Sequence, residues 1–400
     1  MNIFKKIYCR TYQFCFRVAL PLLPYRQPKI LESNEEVLET LKNEKINKIF
    51  FVTDKTIKGL GLTAPLEKTL TDGGLEVVIF DNVLPNPTIS LVEEGLKKYT
   101  ESSCEAIIAL GGGSVIDCAK TIGARIVKPN KPVKKMKGLL KICKKLPTLI
   151  AIPTTAGTGS ETTLAAVITD DETHHKYPIN DFSLIPHYAL LDYHLTLGLN
   201  QKITSTTGMD ALTHAVEAFI GQSTTPQTRK ASVESIRLIK ENLKEVYDNG
   251  QNADARQKML RASYLAGVAF TKSYVGYNHA IAHTLGGKYG VAHGLANAII
   301  LPHTLKSYGK SVYNKLSKLA KLTKIANEFD SKEVASKKFI NWIEELNKYF
   351  NIPDYVEQLI EDDIPELAAK ADMEGNPLYP VPKLMDKNEL SEIYKKLLKK

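Results

Sequence analysis

The stretch "CEAIIALGGGSVIDCAKTIGARIV", residues 104–127, decides the fold. Ala106 to Leu110 form an unbroken apolar run of strand length, without the alternation of a half-solvated strand, and so read as a strand buried on both faces. Gly111, Gly112 and Gly113 then turn the chain, and a helical apolar pattern starts near Val115. The same succession of apolar run, turn and helix occurs twice before it: "KIFFVTD" leads into "KTIKGLGLTAPLEKTLTDGG", and "LEVVIFDNV" into "TISLVEEGLKKYTES". Strands alternating with helices predict a parallel sheet covered on both faces.

Past "LPTLIAIPTTAGTGSETT" and a polar, turn-rich segment reaching to about residue 195, the period changes. Residues 229–247, 253–270, 311–327 and 331–350 read as successive amphipathic helices. At 400 residues the chain exceeds the usual size of one hydrophobic core. The expected fold is therefore an α/β N-terminal dinucleotide-binding domain with a parallel sheet over 31–195, followed by an all-α C-terminal metal-binding domain over 196–400.

Residues 1–30 stand apart as an amphipathic N-terminal extension, with apolar side chains at positions 4, 7, 14, 15, 18 and 22 on roughly one helical face. Arg17 interrupts the apolar run and no small-residue cleavage site follows, which argues against a signal peptide. The extension is expected to be a helix docked on the body or on a second subunit, with a membrane-surface anchor as the alternative.

The 53 Lys and Arg against 44 Asp and Glu give a net charge of +9. Most of the excess lies along helical stretches beside acidic residues. The densest cluster, residues 128–147, lacks the interleaved aromatics of a single-strand platform, so no nucleic-acid partner is expected. No run of eighteen apolar residues suggests an integral membrane span. Five cysteines, an odd number without CxxC spacing, suit a reducing cytoplasm better than a disulfide framework or a structural zinc site.

Two loops invite a nucleotide. The turn at Gly111–Ser114 precedes a helix whose unpaired N–H groups would suit a pyrophosphate, although a plain strand-to-helix turn explains the same glycines equally well. In "IAIPTTAGTGSETT", Thr154, Thr155 and Thr158 put hydroxyls on a second strand-end loop kept slim by Gly157 and Gly159. Asp54 ends the strand of "FFVTD", where it suits an adenosine ribose or, as readily, a helix N-cap.

A second constellation suits a metal. Asp210 and His214 are four apart in "TTGMDALTHAVEAFI", helical from about Thr207, and share one face. His279 and His283 repeat that spacing, and His293 follows after Gly286, Gly287 and Gly290, which are expected to break the helix and fold the chain back. One carboxylate with two or three imidazoles makes a mixed N/O site suited to Zn²⁺ or Fe²⁺. His174 and His175 in a polar turn, and His187, His194 and His303 beside prolines or element ends, read as surface or structural residues.

Taken together, "GGGSVIDCAK", "AIPTTAGTGSETT", "GMDALTHAVEA" and "NHAIAHTLGGKYGVAHGLANAIILPH" resemble the signatures of the iron-containing (group III) alcohol dehydrogenases, within the dehydroquinate synthase-like superfamily. The resemblance runs from about residue 28 to "NPLYPVPKLM". It implies NAD on the first domain, a divalent metal, Fe²⁺ or alternatively Zn²⁺, held by Asp210, His214, His279 and His293, and a homodimer. It makes His283 the extra histidine near the nicotinamide, as a proton relay or substrate contact. Asp54 falls at the position whose carboxylate favours NAD over NADP. Gly112, Gly113 and Ser114 would hold the pyrophosphate, Thr154, Thr155 and Thr158 would line the cofactor with Asn86 and Lys176, and Asp117 would fix the glycine loop. Thr163 and Leu164 depart from residues common in the family near the substrate side.

The implied activity interconverts a small primary alcohol or diol and its aldehyde by direct hydride transfer. A glycerol dehydrogenase-like or dehydroquinate-synthase-like metal and NAD enzyme is the alternative, although the phosphate-binding lysine and arginine sets of the latter are not evident.

Overall fold

A computed structural model describes residues 1–173 and 176–399. The chain divides into two compact units. An α/β unit comprises Pro24–Leu199 with Gln251–Leu260, and a helical unit comprises Met1–Leu23, Asn200–Gly250 and Arg261–Lys400.

The α/β unit is built on strands β1 (Lys29–Leu31), β2 (Lys48–Val52), β3 (Glu76–Phe80), β4 (Ala106–Gly111), β5 (Gly138–Leu139), β6 (Thr148–Pro153), β7 (Ala165–Thr169), β8 (Lys176–Asn180) and β9 (Tyr188–Leu190). Six of them form one parallel sheet in the order β1-β9-β6-β4-β2-β3, so the expected parallel sheet is present. The decisive apolar run is its central strand: all six residues of β4 are buried, with Ile108 in register with Phe51 on one side and Ile150 on the other.

Alternate residues feed two apolar layers. Phe50, Ile107, Ala109, Leu149 and Ala151 pack to one face with Val92, Ile116 and Ile122, while Ile49, Phe51, Ile108, Ile150 and Ile152 pack to the other with Val37, Leu41, Leu66 and Leu70. Each fully buried aliphatic side chain contributes about 1.5–3 kcal/mol, so a sheet covered on both faces outweighs any arrangement that exposes one. The remaining strands make a small second sheet, β5-β8-β7, in which β7 and β8 pair antiparallel with Val167 opposite Pro178. This hairpin lies in the segment whose sequence reads only as polar turns.

After α1 (Ile3–Ala19), the helices of the α/β unit are α2 (Asn34–Asn43), α3 (Lys55–Gly59), α4 (Ala64–Asp72), α5 (Ile89–Glu101) and α6 (Gly113–Val127). The later chain runs through α7 (Gln201–Ile220), α8 (Pro226–Asp248), α9 (Ala253–Ser273), α10 (Tyr277–Tyr289), α11 (His293–Tyr308), α12 (Lys310–Leu322), α13 (Lys332–Tyr349), α14 (Ile364–Gly375) and α15 (Lys387–Lys395). Their starts carry the expected chemistry: Ser33, Thr88, Asn200 and Ser331 accept a first-turn N–H, and Thr225 and Asp386 complete capping boxes. Helix α7 is buried all round from Gly208 to Ile220, as befits a central helix.

Candidate functional site

Helix α7 carries Asp210 and His214 one turn apart, and both are buried. Helix α10 carries His279 and His283 with the same spacing. It continues through Gly286 and Gly287 to Tyr289, so the break expected at three glycines falls at Gly290 alone, left-handed at φ 70°. The chain reverses there, and α11 opens on His293. Its second residue, Gly294, lies against α7 so closely that a Cβ would stand 2.4 Å from the Thr206 carbonyl oxygen. A side chain at 294 would lift α11 off α7, and His293 with it.

These three helices bring ligand atoms of Asp210, His214, His279 and His293 within 4.8 Å of one another. His293 Nε2 lies 3.6 Å from Asp210 Oδ1. The Asn297 amide nitrogen, one turn beyond His293, donates to Asp210 Oδ1 at 2.7 Å and also stands 3.1 Å from His293 Nε2 and 3.3 Å from His279 Nε2. One carboxylate oxygen and two imidazole nitrogens thus crowd a single NH₂ group, so these atoms face a common space.

Glu217 orients the set from behind. Its Oε2 meets His279 Nδ1 at 2.6 Å and its Oε1 accepts the Asn278 N–H at 3.0 Å, which leaves His279 Nε2 to face the other ligands. Burial pushes the Glu217 carboxyl up to about 7, against the amides of Gly276 and Asn278. Burial also raises Asp210, and it drives His279 well below the usual imidazole range, helped by His214, His293 and His283. His214 stacks on Phe270 with ring centroids 4.1 Å apart. Three imidazoles and a carboxyl group crowded into a mostly buried space, with no Lys or Arg in the cluster, fit a divalent metal of the Zn²⁺ or Fe²⁺ type.

His283 stands differently. Its Nδ1 meets Glu374 Oε1 at 2.6 Å, and that oxygen also accepts the Tyr379 hydroxyl at 2.7 Å. Burial pulls the imidazole down, but Glu374, Asp210 and Glu217 outweigh it and raise its pKa. Its ring stacks beside His293 at 5.3 Å, and its side chain is 37% exposed, so it is partly open where Asp210, His214 and His279 are closed.

In the α/β unit the two glycine loops touch. Gly112 caps α6, and a Cβ there would meet nothing within 4 Å, whereas a Cβ on Gly113 would meet Thr158 at 3.2 Å and Ser160 at 3.3 Å. Asn86, left-handed at φ 61°, donates its N–H to Ser114 Oγ at 3.3 Å. Thr154 is buried and its N–H donates to the Gly111 carbonyl at 3.1 Å; Thr155 and Thr158 are half-buried on the same loop. Asp117 Oδ2 accepts the Val167 N–H at 3.0 Å and so ties α6 to β7. Asp54 is the N-cap of α3, accepting the Ile57 N–H at 2.8 Å through one carboxylate oxygen. Lys176 opens β8 opposite Thr169, with burial lowering its ammonium pKa.

Several residues without a role in the sequence analysis carry weight in the structure. Lys120 is fully buried and donates to Thr163 O and Oγ1 at 2.8 Å and to Ala165 O at 2.9 Å. Thr163 and Leu164, the positions of departure, are thus buried in the α/β unit. Glu161 is buried below the second glycine loop and accepts nothing beyond its own backbone N–H. Glu217 shares the face of Asp210 and His214 and was open to detection by spacing, but Glu374 lies 91 residues from His283 and no local signal joins them. Of the histidines set aside, His187 accepts the Leu149 N–H, His194 pairs with Asp192, and His303 is half-buried on α11; His174 and His175 lie outside the described residues.

A chain that carries a glycine-rich turn at the end of a parallel strand and a three-histidine, one-aspartate cluster on buried helices is built as a nucleotide-linked metalloenzyme. Residues 29–193 match the family profile described as iron-containing alcohol dehydrogenase, and residues 204–398 match the C-terminal part of the Fe-containing alcohol dehydrogenase family. The chain belongs to that family and is an oxidoreductase acting on alcohols and their aldehydes.

Among curated relatives, a 1,3-propanediol dehydrogenase of Citrobacter freundii is 37% identical over 87% of this chain and 90% of its own. An NAD-dependent methanol dehydrogenase of Bacillus methanolicus is 33% identical over 91% and 96%. An NADPH-dependent butanol dehydrogenase of Clostridium saccharobutylicum is 34% identical over 83% and 85%. The solved structure of a 1,3-propanediol oxidoreductase superposes with TM-score 0.89 at 34% identity, over 94% of this chain and 99% of that one.

Proposed function

We propose that the protein interconverts a small primary alcohol or diol and its aldehyde with NAD and iron, as a cytoplasmic homodimer. The observation that carries this reading is the convergence of Asp210, His214, His279 and His293 within 4.8 Å. An iron ion held there would supply Lewis acidity to the substrate oxygen. Zinc suits the same donors, and the iron assignment follows the family.

The chain's own residues do the rest. Glu217 fixes the tautomer and aim of His279, and Asn297 holds Asp210. Phe270 and the buried surroundings of His214 keep water from that side of the ligands. His283, anchored through Nδ1 by Glu374, keeps Nε2 to move a proton between the substrate hydroxyl and solvent.

Residues 31–195 would hold the dinucleotide and residues 196–400 the metal. Gly112, Gly113 and Ser114 present the N-terminus of α6 to the pyrophosphate, and Asn86, Thr154, Thr155, Thr158 and Lys176 line the cofactor. Asp54 uses one oxygen for its cap and keeps the other for a ribose hydroxyl, which repels a 2′-phosphate and favours NAD. That distinction matters because relatives of similar identity are named for both cofactors. The cytoplasmic assignment draws on five cysteines that are all unpaired, and the homodimer on the family resemblance.

The test is a panel of methanol, ethanol, butanol and 1,3-propanediol with NAD and with NADP, after loading with Fe²⁺ or Zn²⁺, followed by nicotinamide absorbance. Turnover of at least one alcohol with NAD and iron is expected. NADP as the better cofactor would overturn the role of Asp54, and nicotinamide that turns over without net reduction would favour the cyclase-like alternative.

A further inference from the structure

Helix α1 is amphipathic the wrong way round for a helix that merely completes a core. Its inner side buries Cys9 and Leu20 and adds polar contacts to the helical unit: the Arg10 guanidinium donates to the carbonyls of Val381 and Pro382 at 2.8 and 3.0 Å, and the Gln13 amide donates to Tyr379 O at 2.7 Å. Lys5 pairs with Asp372 at 2.8 Å, and Phe16 packs edge-on against Tyr274. Its outer side is an apolar stripe. Phe4, Ile7, Tyr8, Phe14, Val18 and, just past its end, Leu22 are exposed, Phe4 to 80% and Leu22 to 86%. The helical spacing puts these residues on one face. The helix packs on the helical unit through the side that carries Cys9, Arg10, Gln13 and Leu20, and it leaves the apolar stripe outside.

The side-chain charge that the N-terminal segment brings to this stripe has one sign, with Lys5 paired to Asp372 and the N-terminus to Asp386 of the helical unit. Residues 1–31 hold Lys5, Lys6, Arg10, Arg17, Arg26 and Lys29 and no Asp or Glu. Lys6 and Arg17 are exposed along one flank of the stripe. Lys315 caps the C-terminal end of α7 through the carbonyls of Ile220 and Gly221, and the charges acting on it are Arg17, Arg229 and Arg10, cations only. An apolar face bordered by cations is what an anionic bilayer surface takes up: the aromatic and aliphatic side chains enter the acyl boundary, and the lysines and arginines reach the phosphates. A two-fold contact with a second copy through the same stripe would set cationic flank against cationic flank without an acidic partner. Among the described residues no helix is long and apolar enough to cross a membrane.

We infer that the outer face of α1 is a docking surface for an anionic phospholipid bilayer, which holds the enzyme at a membrane surface without spanning it. This attachment is independent of the metal and cofactor residues.

The full-length protein is sedimented with vesicles of phosphatidylcholine alone and of equal parts phosphatidylcholine and phosphatidylglycerol. The expected result is at least about tenfold stronger association with the anionic vesicles, weakened by added salt. Both Phe4→Ser/Ile7→Ser/Phe14→Ser and Lys6→Glu/Arg17→Glu are expected to reduce that association at least about tenfold while alcohol oxidation and far-UV circular dichroism stay unchanged. Wild-type protein left in the supernatant with anionic vesicles would overturn the inference, as would a triple variant that sediments like wild type. So would a self-associated species in vesicle-free sedimentation velocity that the triple variant alone lacks, because a second copy would then be the occupant.

Discussion

His283 and His279 share a helix face yet stand in different surroundings: Glu217 holds His279 deep in the ligand cluster, while Glu374 and Tyr379 hold His283 at its more exposed side. His283→Ala is accordingly expected to keep its metal and to lose about 10²-fold in kcat with an altered pH profile. A metal content that falls as far as in a ligand variant would make His283 a ligand instead. Glu217→Gln keeps the shape but weakens the anchor of His279, so metal affinity is expected to fall about 10–100-fold, read by competition with a chelator. Glu161 makes a separate prediction. Burial raises its carboxyl to about 7 against an unfolded value near 4.5, so the folded state binds more protons between those values and stability falls as pH rises through that window. Glu161→Gln removes the penalty and is expected to be more stable than wild type by about 1–3 kcal/mol near pH 8 and close to it near pH 5 in thermal unfolding. An equal gain at both pH values would contradict the assignment. The sequence made Asp210, His214, His279 and His293 visible through helical spacing and the family resemblance. It hid Glu374 and the buried Lys120, because their partners are set by tertiary packing and not by distance along the chain.

Elements long and periodic enough to bury a face were legible. The helices expected over 229–247 and 331–350 fall at Pro226–Asp248 and Lys332–Tyr349, and the apolar runs around Phe50, Val78, Ile108 and Ile150 are strands of the parallel sheet. The β7–β8 pair was not legible, because each strand is only five residues long in a segment rich in polar residues and β8 includes Pro178. The glycines that follow His283 were read as helix breakers, yet Gly286 and Gly287 stay within α10 and Gly290 alone provides the left-handed turn. The glycine that decides the position of His293 is Gly294, at the contact of α11 with α7. Gly294→Ala is expected to cost about 1–3 kcal/mol and to reduce bound metal, because the new methyl meets backbone that cannot rotate away. A variant with unchanged unfolding temperature and metal content would show that α11 is not held by that contact.

At the scale of the whole molecule, composition narrowed the possibilities without choosing among them. The net charge of +9 named no partner by itself, and part of it lies on α1 beside an exposed apolar stripe. The proposed function rests on one convergence, four candidate ligands drawn from three helices and separated by as many as 83 positions between Asp210 and His293. The direct measurement is made on wild type and His279→Ala, each loaded anaerobically with Fe²⁺, by assaying bound iron and the NADH formed on addition of 1,3-propanediol or butanol. Wild type is expected to bind iron and produce NADH, and His279→Ala to lose both by at least about 10²-fold. Full alcohol oxidation by a metal-free His279→Ala protein would contradict the account.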